Sequence, residues 1–327
     1  MKNKKIIIAG GSGFIGQCLA EYFGKDNHIV ILTRGLNHIT NNSFGNAELS
    51  NEARKNTRFV QWNGKDPGEW CREIDGADIV INLTGKSVNC RYTKKNKQEI
   101  FDSRVNATKA IGEAIHNATV PPKLWLNAAS ATIYRYAKDR PQDEYTGEIE
   151  NDFSVQVCKL WEKTFFEQRT PFTRKVALRM AVTLGNGGVI APYLNLCKFA
   201  LGGKQGNGKQ MYSWVHAEDI CRAVAFLYEH NDLEGVYNVC SPNPVTNETF
   251  MRTLRRVTHH AIGLPAYAWM LKIGALVIGT ETELLLKSRW VVPTKIKEAG
   301  FEFKYANLED AFTDIVSKLP RKKYHLF

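Results

Sequence analysis

The sequence has no C-x-x-C pair, no tandem repeat and no low-complexity segment, and each absence excludes a class of protein. Its seven cysteines, scattered from Cys18 to Cys240, are typical of reduced thiols rather than of disulfides or a zinc site. The adjacent His259 and His260 would point to different faces of a helix, so we expect no metal. Because no phrase recurs at a fixed period, solenoids and propellers are excluded.

Long apolar runs are also missing. The longest candidate, residues 261–280, contains Pro265 and Lys272, and its helical part is too short to span a bilayer. The apolar run after the first lysines is too short for a signal peptide and has no cleavage site. We therefore expect a cytoplasmic protein with no membrane partner.

The sequence has an excess of positive charge, so we ask whether the protein binds nucleic acid. The net charge of +11 comes from 44 Lys and Arg against 33 Asp and Glu. The basic residues form local clusters, at 94–97 and 321–323, without the aromatic interleaving of a single-strand binder. We therefore expect these clusters to be solvated surface, and we expect the protein not to bind nucleic acid. The expected partner is a small-molecule substrate, and the protein is expected to be a monomer or a homodimer.

The sequence does have nearly continuous apolar runs that alternate with segments of helical period. The predicted strands are residues 5–9, 28–33, 58–61, 77–82, 123–127 and 175–180. The predicted helices begin at residue 14 and span about 97–116 and 153–168. Strands that are apolar on both faces are typical of parallel sheets covered by helices. The pattern predicts an α/β fold with a Rossmann-type doubly wound parallel sheet, whose ligand binds at the carboxyl ends of the strands.

A glycine-rich turn at residues 10–16 follows the first strand and opens the first helix. It fits both the G-x-x-G-x-x-G and the G-x-G-x-x-G spacing in the context that this motif requires. Glycine allows a tight turn and lets the backbone approach a pyrophosphate, whose charge meets the amides and dipole of the helix start. The turn predicts dinucleotide binding; glycines that only pack a helix onto a strand are the alternative. The candidate cofactor contacts are Gly10, Gly13, Phe14, Ile15 and Gly16.

The end of the second strand indicates which dinucleotide binds. NAD-binding folds usually have an acid here that accepts hydrogen bonds from the ribose hydroxyls, whereas this chain has Arg34. A guanidinium can pair with a 2′-phosphate through two hydrogen bonds. We expect NADP(H), with NAD(H) possible; an exposed Arg34 without a role is the alternative.

The regular alternation ends near Met180. We expect residues 1–180 to form the NADP-binding Rossmann domain, with later segments returning to it, and residues 181–327 to form mainly a smaller C-terminal substrate lobe. The glycine-rich stretches 185–188 and 202–208 suit segments that close over a ligand, and surface connections are the alternative.

Several phrases resemble the extended short-chain dehydrogenase/reductases. They are the glycine turn, residues 82–85 after the fourth strand and residues 127–134 after the fifth. More narrowly, the chain resembles the atypical YfcH-like epimerase family proteins, in the phrases 97–105, 161–162, 211–220 and 292–301. The resemblance covers nearly the whole chain. It implies an NADP-binding Rossmann domain with a small C-terminal lobe, in a family whose substrate is largely undefined.

The resemblance also implies roles for particular residues. It gives Ser130 the place of the superfamily's catalytic Ser or Thr, which polarises a carbonyl. In active members a Tyr in a Y-x-x-x-K pair is the general acid/base, and the Lys lowers its pKa. In this chain the position of that Tyr falls near Ser154 and the position of that Lys near Cys158, so neither residue is of the type that the pair requires. The implied cofactor contacts on the fourth strand's end are Leu83, Thr84 and Gly85, together with Ser130 on the fifth.

One Y-x-x-x-K does occur, at Tyr134 and Lys138, but directly after the fifth strand rather than on the following helix. Tyr134 is a candidate catalytic residue beside Ser130, and a packing or pocket-wall role is the alternative that its position favours. Cys158 is either a thiol acid or base or a small buried apolar residue.

The sequence leaves two alternative roles for each of two further residues, Arg104 and His216. Arg104 stands where many relatives have an Asn, and it could bind a substrate anion or an internal carboxylate. His216 could act as an acid or base because its pKa lies near neutrality, while the family parallel favours a structural hydrogen-bonding residue.

The sequence is compatible with three functions. The first is an NADP-dependent oxidoreductase, or an enzyme resembling nucleotide-sugar epimerases, that acts on a small polar substrate with a non-standard acid/base group. The second is a catalytically altered protein that binds NADP(H) as a sensor or partner. The third, ranked last, is a nucleic-acid binder, suggested only by the basic pI of 9.2.

Overall fold

The computed structural model describes residues 1–35, 39–40, 43–44, 49–267, 269–271 and 287–326. The strands of its central sheet are β1 (Lys5–Ala9), β2 (His28–Thr33), β5 (Thr57–Gln61), β6 (Ile79–Asn82), β7 (Leu124–Ser130), β8 (Arg174–Met180) and β13 (Gly235–Val239). Two short strands, β3 (Ile39–Thr40) and β4 (Ser43–Phe44), lie between β2 and β5 in the chain and pair with each other outside the central sheet.

The central sheet is parallel throughout, in the order β13-β8-β7-β6-β1-β2-β5. The chain moves outward in one direction from β1 to β2 and β5, and in the other direction from β6 to β13. The order therefore reverses between β1 and β6, which is where a doubly wound sheet opens a crevice for a ligand. The predicted fold class is confirmed.

The helices cover both faces of the sheet and continue into the second half of the chain. They are α1 (Phe14–Phe23), α2 (Asn51–Lys55), α3 (Lys94–His116), α4 (Phe153–Phe166), α5 (Ile190–Lys198), α6 (Ala217–Glu229) and α7 (Asn247–Val257), followed by helices Thr294–Glu298 and Leu308–Ser317. Side-chain caps begin several of them. Thr93 accepts a hydrogen bond from the Asn96 amide at the start of α3, and Asp152 accepts one from the Val155 amide at the start of α4.

The core lies in two layers, one on each face of the sheet. Ile6 and Ile8 pack into the layer formed with α1 and α6, whereas Ile7 and Ala9 pack into the layer formed with α3 and α4. This alternation follows from the period of two along a strand. Because both faces are covered, β1 is apolar at every buried position, which is the pattern the sequence shows.

The structure extends the sheet beyond the last predicted strand. β13 pairs in parallel with β8, and α6 lies beside α1, so residues 217–239 return to the Rossmann domain. The sequence pattern misses β13 because its five residues are only partly apolar and begin with a glycine. The predicted fifth strand corresponds to β7, which is longer than predicted and ends at Ser130. Helix α3 begins at Lys94, earlier than predicted, because Thr93 caps it.

The remainder of the second half forms a smaller lobe. Strands β9 (Val182–Gly185), β10 (Gly187–Gly188) and β12 (Trp214–His216) make one small sheet, and β11 (Met211–Tyr212) pairs with β14 (Val245–Thr246). A third core cluster joins α5, α7 and helix Leu308–Ser317. The glycine-rich stretch 202–208 is held to residues 264–266 by backbone hydrogen bonds, which favours a connection over a segment that closes on a ligand.

In the part of the chain that the structure describes, no helix is both long enough and apolar enough to cross a bilayer. Lys272 and the rest of the apolar stretch beyond Leu271, up to residue 280, lie outside the described residues.

Candidate functional site

The glycine turn brings three segments into contact at the carboxyl end of β1. Gly10 has φ +74°, and a Cβ there would lie 3.1 Å from the backbone of Leu83 and Thr84. A Cβ on Gly16 would lie 2.4 Å from the Cα of Gly11. The loop after β6, the turn and α1 can approach this closely only because these positions are glycine.

The start of α1 is open to a negatively charged ligand. Gly13 occupies the N-cap, no side chain caps the helix, and its first turn contains no acidic residue. Gly13 is exposed, and a Cβ there would meet nothing nearer than the Gly10 carbonyl oxygen, at 3.6 Å. The positive end of the helix dipole therefore has no counter-charge from this segment.

The side chains of Phe14 and Ile15 pack against other parts of the protein. Atoms of the Phe14 ring lie 2.8–2.9 Å from where a Cβ would stand on each glycine of the β9–β10 turn, Gly185, Gly187 and Gly188. Ile15 packs against the core layer that includes α1 and α6. Both residues were predicted to contact a cofactor, and their backbone amides are the groups that stay at the helix start.

Arg34 follows the end of β2 and is exposed. The carbonyl oxygen of Leu32, two residues earlier, accepts a hydrogen bond from the Gly10 amide at 3.1 Å, so the end of β2 adjoins the glycine turn. Among the described residues, Arg34 has no hydrogen-bond or ion-pair partner. Its guanidinium is available to a ligand that reaches from the turn toward β2.

A buried hydrogen-bond network fixes the loop after β6. The Asn82 Nδ2 donates to Asn127 Oδ1 at 2.7 Å and to Thr108 Oγ1 at 3.2 Å, while its Oδ1 accepts from the Thr84 amide at 3.0 Å. The Trp161 indole donates to the same Thr108 hydroxyl at 3.2 Å. Sequence reasoning assigned no role to this network. The signal for it was an asparagine at the end of each of two predicted apolar strands, which pair side by side in the structure.

Thr84 supplies the most direct test of whether a cofactor fits. Its Oγ1 is buried and has no hydrogen-bond partner among the described residues. A buried hydroxyl without a partner is costly unless a ligand satisfies it. Together with the glycine contacts and the uncapped helix, this orphaned hydroxyl fits a site for a dinucleotide.

Ser130 ends β7 at the same edge of the sheet. Its side chain is half-buried, and its Oγ accepts a hydrogen bond from the Thr132 amide at 3.2 Å. Because β6 and β7 pair in parallel, Ser130 and the loop that begins at Leu83 both lie at the carboxyl edge.

The catalytic interpretation of Tyr134 conflicts with its surroundings. The phenol is 1% exposed, donates to Asn238 Oδ1 at 3.0 Å and accepts from Arg179 Nη1 at 2.8 Å. Burial raises the pKa of Tyr134 to about 12. Lys138 is exposed, and its amine lies over the Tyr136 ring instead. The structure therefore supports the packing alternative, because the hydroxyl already has both partners in a closed core.

Ser154 and Cys158, near the places of the usual Tyr and Lys, are both buried on α4. Burial is the main cause that raises the pKa of the Cys158 thiol to about 12. A thiol with that pKa stays protonated at neutral pH, so Cys158 behaves as a small apolar residue.

Arg104 projects from α3 toward the loop after β6. Its Nη1 donates to the carbonyl oxygens of Lys86, at 3.1 Å, and Ile100, at 3.0 Å, and its Cζ lies 4.9 Å from the centroid of the Trp161 ring. Burial lowers the pKa of Arg104. No carboxylate of the described residues pairs with it.

His216 caps α6 rather than facing an open site. Its Nδ1 accepts from the Glu218 amide at 3.2 Å, so the proton of the neutral ring is on Nε2, which lies 3.2 Å from Asp314 Oδ2. The ring packs on Tyr305 with centroids 3.9 Å apart. These contacts join β12 to the C-terminal helix, as expected of a structural residue.

The described residues contain no group of three or more His, Cys, Asp or Glu side chains placed to hold a metal ion.

Two family models match the sequence. The model of the NAD dependent epimerase/dehydratase family matches residues 6–160, and that of a domain of unknown function, DUF1731, matches residues 268–315. The epimerase family protein SSP1921 of Staphylococcus saprophyticus is 33% identical over 96% of this chain and 99% of its own length. The epimerase family protein YfhF of Bacillus subtilis is 32% identical over 95% and 98%.

Solved structures share the fold. Human epimerase family protein SDR39U1, crystallised with NADPH, has a TM-score of 0.80 at 23% identity and covers 96% of this chain and 100% of its own. A UDP-N-acetylglucosamine 4-epimerase from Methanobrevibacter ruminantium has a TM-score of 0.73 at 18% identity, over 97% and 98%.

The sheet order and the glycine turn define a nucleotide-binding Rossmann protein of the epimerase and short-chain dehydrogenase/reductase type. The chain belongs to the epimerase family of SSP1921 and YfhF, as an atypical extended member of that superfamily. The resemblance noted in the sequence is confirmed.

Proposed function

We propose that the chain binds NADP(H) in preference to NAD(H) and uses it to oxidise, reduce or epimerise a small polar substrate, with an acid/base group other than the usual Tyr and Lys. The observation that carries the proposal is the orphaned Thr84 hydroxyl beside the glycine turn.

The pyrophosphate of the cofactor is assigned to the start of α1. Its charge would meet the backbone amides of residues 13–16 and the positive end of the helix dipole. The network around Asn82 holds residues 83–85 against the turn, so Leu83, Thr84 and Gly85 would line the other side of the cofactor.

The preference for NADP(H) rests on Arg34. A free guanidinium at the end of β2 is suited to a 2′-phosphate, which the NAD-type acid would repel. The human relative SDR39U1, whose structure contains NADPH, supports this assignment by its similar fold.

When bound, a nicotinamide cofactor supplies a carbon that donates or accepts hydride. Ser130 is assigned the contact with the substrate oxygen, because its half-buried hydroxyl stands at the carboxyl end of β7. The Tyr134 phenol is committed to Arg179 and Asn238, so it is not assigned the proton transfer.

A second candidate function is NADP(H) sensing without turnover. The observation that favours it is the burial of Ser154 and Cys158, since neither can supply the acid/base pair of active relatives.

The cofactor assignment is tested by titrating the protein with NADPH and NADH and following the fluorescence of the bound dinucleotide. We expect tighter binding of NADPH, and a loss of about tenfold or more in NADPH affinity in Arg34→Gln, with NADH affinity unchanged. Arg169→Gln, which removes another exposed arginine, should change neither. Equal affinities for the two cofactors, or an unaffected Arg34→Gln variant, would contradict the role of Arg34.

Catalysis is tested by deuteride transfer from labelled NADPH to a panel of carbonyl compounds that includes nucleotide sugars, with Ser130→Ala as the comparison. Turnover that falls in Ser130→Ala while NADPH affinity stays the same supports the enzyme. Tight NADPH binding without transfer to any member of the panel favours the sensor.

A further inference from the structure

The guanidinium of Arg104 belongs to a half-buried residue and has no carboxylate partner in the described chain. Its Nη1 makes the hydrogen bonds to Lys86 and Ile100, and neither Nε nor Nη2 donates to any described residue. The Trp161 ring stabilises one face of the cation but accepts no hydrogen bond in the guanidinium plane. The Nε and Nη2 edge of the guanidinium therefore has donors that are available to a ligand.

Gly85 fixes where these donors lie. A Cβ at this position would stand 2.9 Å from Arg104 Cζ and 3.1 Å from Nη2, so the guanidinium packs directly on the glycine. The preceding residue is Thr84, whose buried hydroxyl has no protein partner. The free edge of the Arg104 guanidinium and the unpartnered Thr84 hydroxyl therefore both adjoin the loop to which the cofactor is assigned.

The neighbouring side chains do not neutralise Arg104. The amine of Lys86 is paired with Glu99, so that carboxylate is already engaged. Glu162, the carboxylate on the facing helix α4, forms a two-point ion pair with Arg179.

The other groups whose charge would interact with Arg104 are Tyr92 and Cys158. The Cys158 thiol, with its pKa raised to about 12 by burial, stays neutral at pH 7.

We propose that Arg104 is the receptor for an anionic group of the substrate, a carboxylate or a phosphate, held by Nε and Nη2 beside the cofactor. A guanidinium edge presents two parallel donors, which match two oxygens of such a group. This inference rests on the proposed function, and it assigns the substrate to the acidic members of the polar class.

The test uses protein saturated with NADP⁺, so that the cofactor's own phosphate sites are filled. Inorganic phosphate, malonate and uncharged malonamide are titrated by calorimetry at constant ionic strength. The wild type should bind phosphate or malonate and not malonamide, and the stronger of the two anions identifies the substrate group. In Arg104→Gln the affinity should fall by about tenfold or more, and Arg104→Lys should recover part of it.

Lys109→Gln is the matched control, because it removes one exposed positive charge from the same helix. Its anion affinity should equal that of the wild type. Equal anion binding by Arg104→Gln and wild type, or no preference of the wild type for the anions over malonamide, overturns the inference. NADPH affinity is measured on cofactor-free portions of the same preparations. If NADPH fails to bind, the proposed function fails, whereas normal NADPH binding without anion binding rejects this inference alone.

A crystal of the wild type grown with NADP⁺ and selenate tests the same claim if Arg104→Gln does not fold. An anomalous selenium peak within hydrogen-bond distance of Arg104 Nε or Nη2 is expected. Its absence there in a crystal that holds selenate elsewhere contradicts the assignment.

Discussion

The side-chain amide of Asn82 donates a 2.7 Å hydrogen bond to the side-chain oxygen of Asn127, from the carboxyl end of β6 to the middle of β7. Both residues are fully buried. Asn82 also holds the Thr84 amide through its Oδ1, so one side chain links the two strands to the loop that faces the glycine turn. The position of the candidate cofactor site thus depends on a polar contact inside the sheet.

Replacing Asn82 by Ala should lower both stability and cofactor affinity. The change leaves the Asn127 oxygen and the Thr84 amide without their partner, and a buried unsatisfied polar group costs about 1–3 kcal/mol. We expect the free energy of unfolding to fall by about 2–4 kcal/mol, measured by urea denaturation. NADPH affinity should fall as well. Asn117→Ala, at an exposed helix end, is the control and should stay within about 0.5 kcal/mol of wild type.

Two glycines of the turn should respond differently to alanine. Gly13 has φ −77° and open space where a Cβ would go, so Gly13→Ala should leave the melting temperature unchanged or slightly raised. Its NADPH affinity should fall, because the methyl group enters the space assigned to the pyrophosphate. In Gly16→Ala the Cβ meets the Gly11 backbone, so stability should also fall, by about 1–3 kcal/mol. Normal NADPH binding by Gly13→Ala would exclude the pyrophosphate from this place.

The buried ion pair between Glu162 and Arg179 should be sensitive to loss of one partner. Each side chain is 10% exposed, and Arg179 also donates to the Tyr134 hydroxyl. Glu162→Gln leaves a buried guanidinium without its counter-charge, so we expect a loss of about 3–5 kcal/mol in chemical denaturation. Lys163→Gln breaks the exposed pair with Glu167 on the same helix and should cost under about 1 kcal/mol. Similar losses of stability in the two variants would contradict this prediction.

His216 should make stability fall on mild acidification. Burial lowers its pKa, and this effect exceeds the opposing influence of Asp314, Asp219 and Glu218. The folded protein then prefers the neutral ring, while the unfolded chain takes up a proton below about pH 6.5. The His216 contribution is therefore present above that pH and is lost as the pH falls through the interval down to the folded-state pKa.

The measurement is the melting temperature between pH 8 and pH 5 for wild type and His216→Asn, whose side-chain oxygen can still cap α6. The variant should show a smaller decline over this range. His28→Asn, at an exposed site, should decline as the wild type does. An undiminished decline in His216→Asn would mean that other groups cause the pH dependence.

Local features of the sequence were sufficient for the dinucleotide turn and for most of the sheet. The glycine spacing is read directly from contiguous residues, and continuous apolar strands are required when helices cover both faces. β13 was missed because its five residues have no strong pattern of their own and gain their place by pairing with β8. The resemblance to the epimerase family was visible in short phrases, and the relatives confirm it.

The sequence by itself determined the fold class, the turn at Gly10 and the presence of an arginine, Arg34, after the second strand, because each depends on residues adjacent in the chain. Only the tertiary structure decided the roles of Tyr134 and Arg104. Tyr134 is closed off by Arg179 and Asn238, which are 45 and 104 positions away. Arg104 has no carboxylate partner among the described residues, where Glu99 is paired with Lys86 and Glu162 with Arg179. Which charges are satisfied is a property of side chains that meet only on folding, and that property turns one arginine of the sequence into a candidate anion receptor.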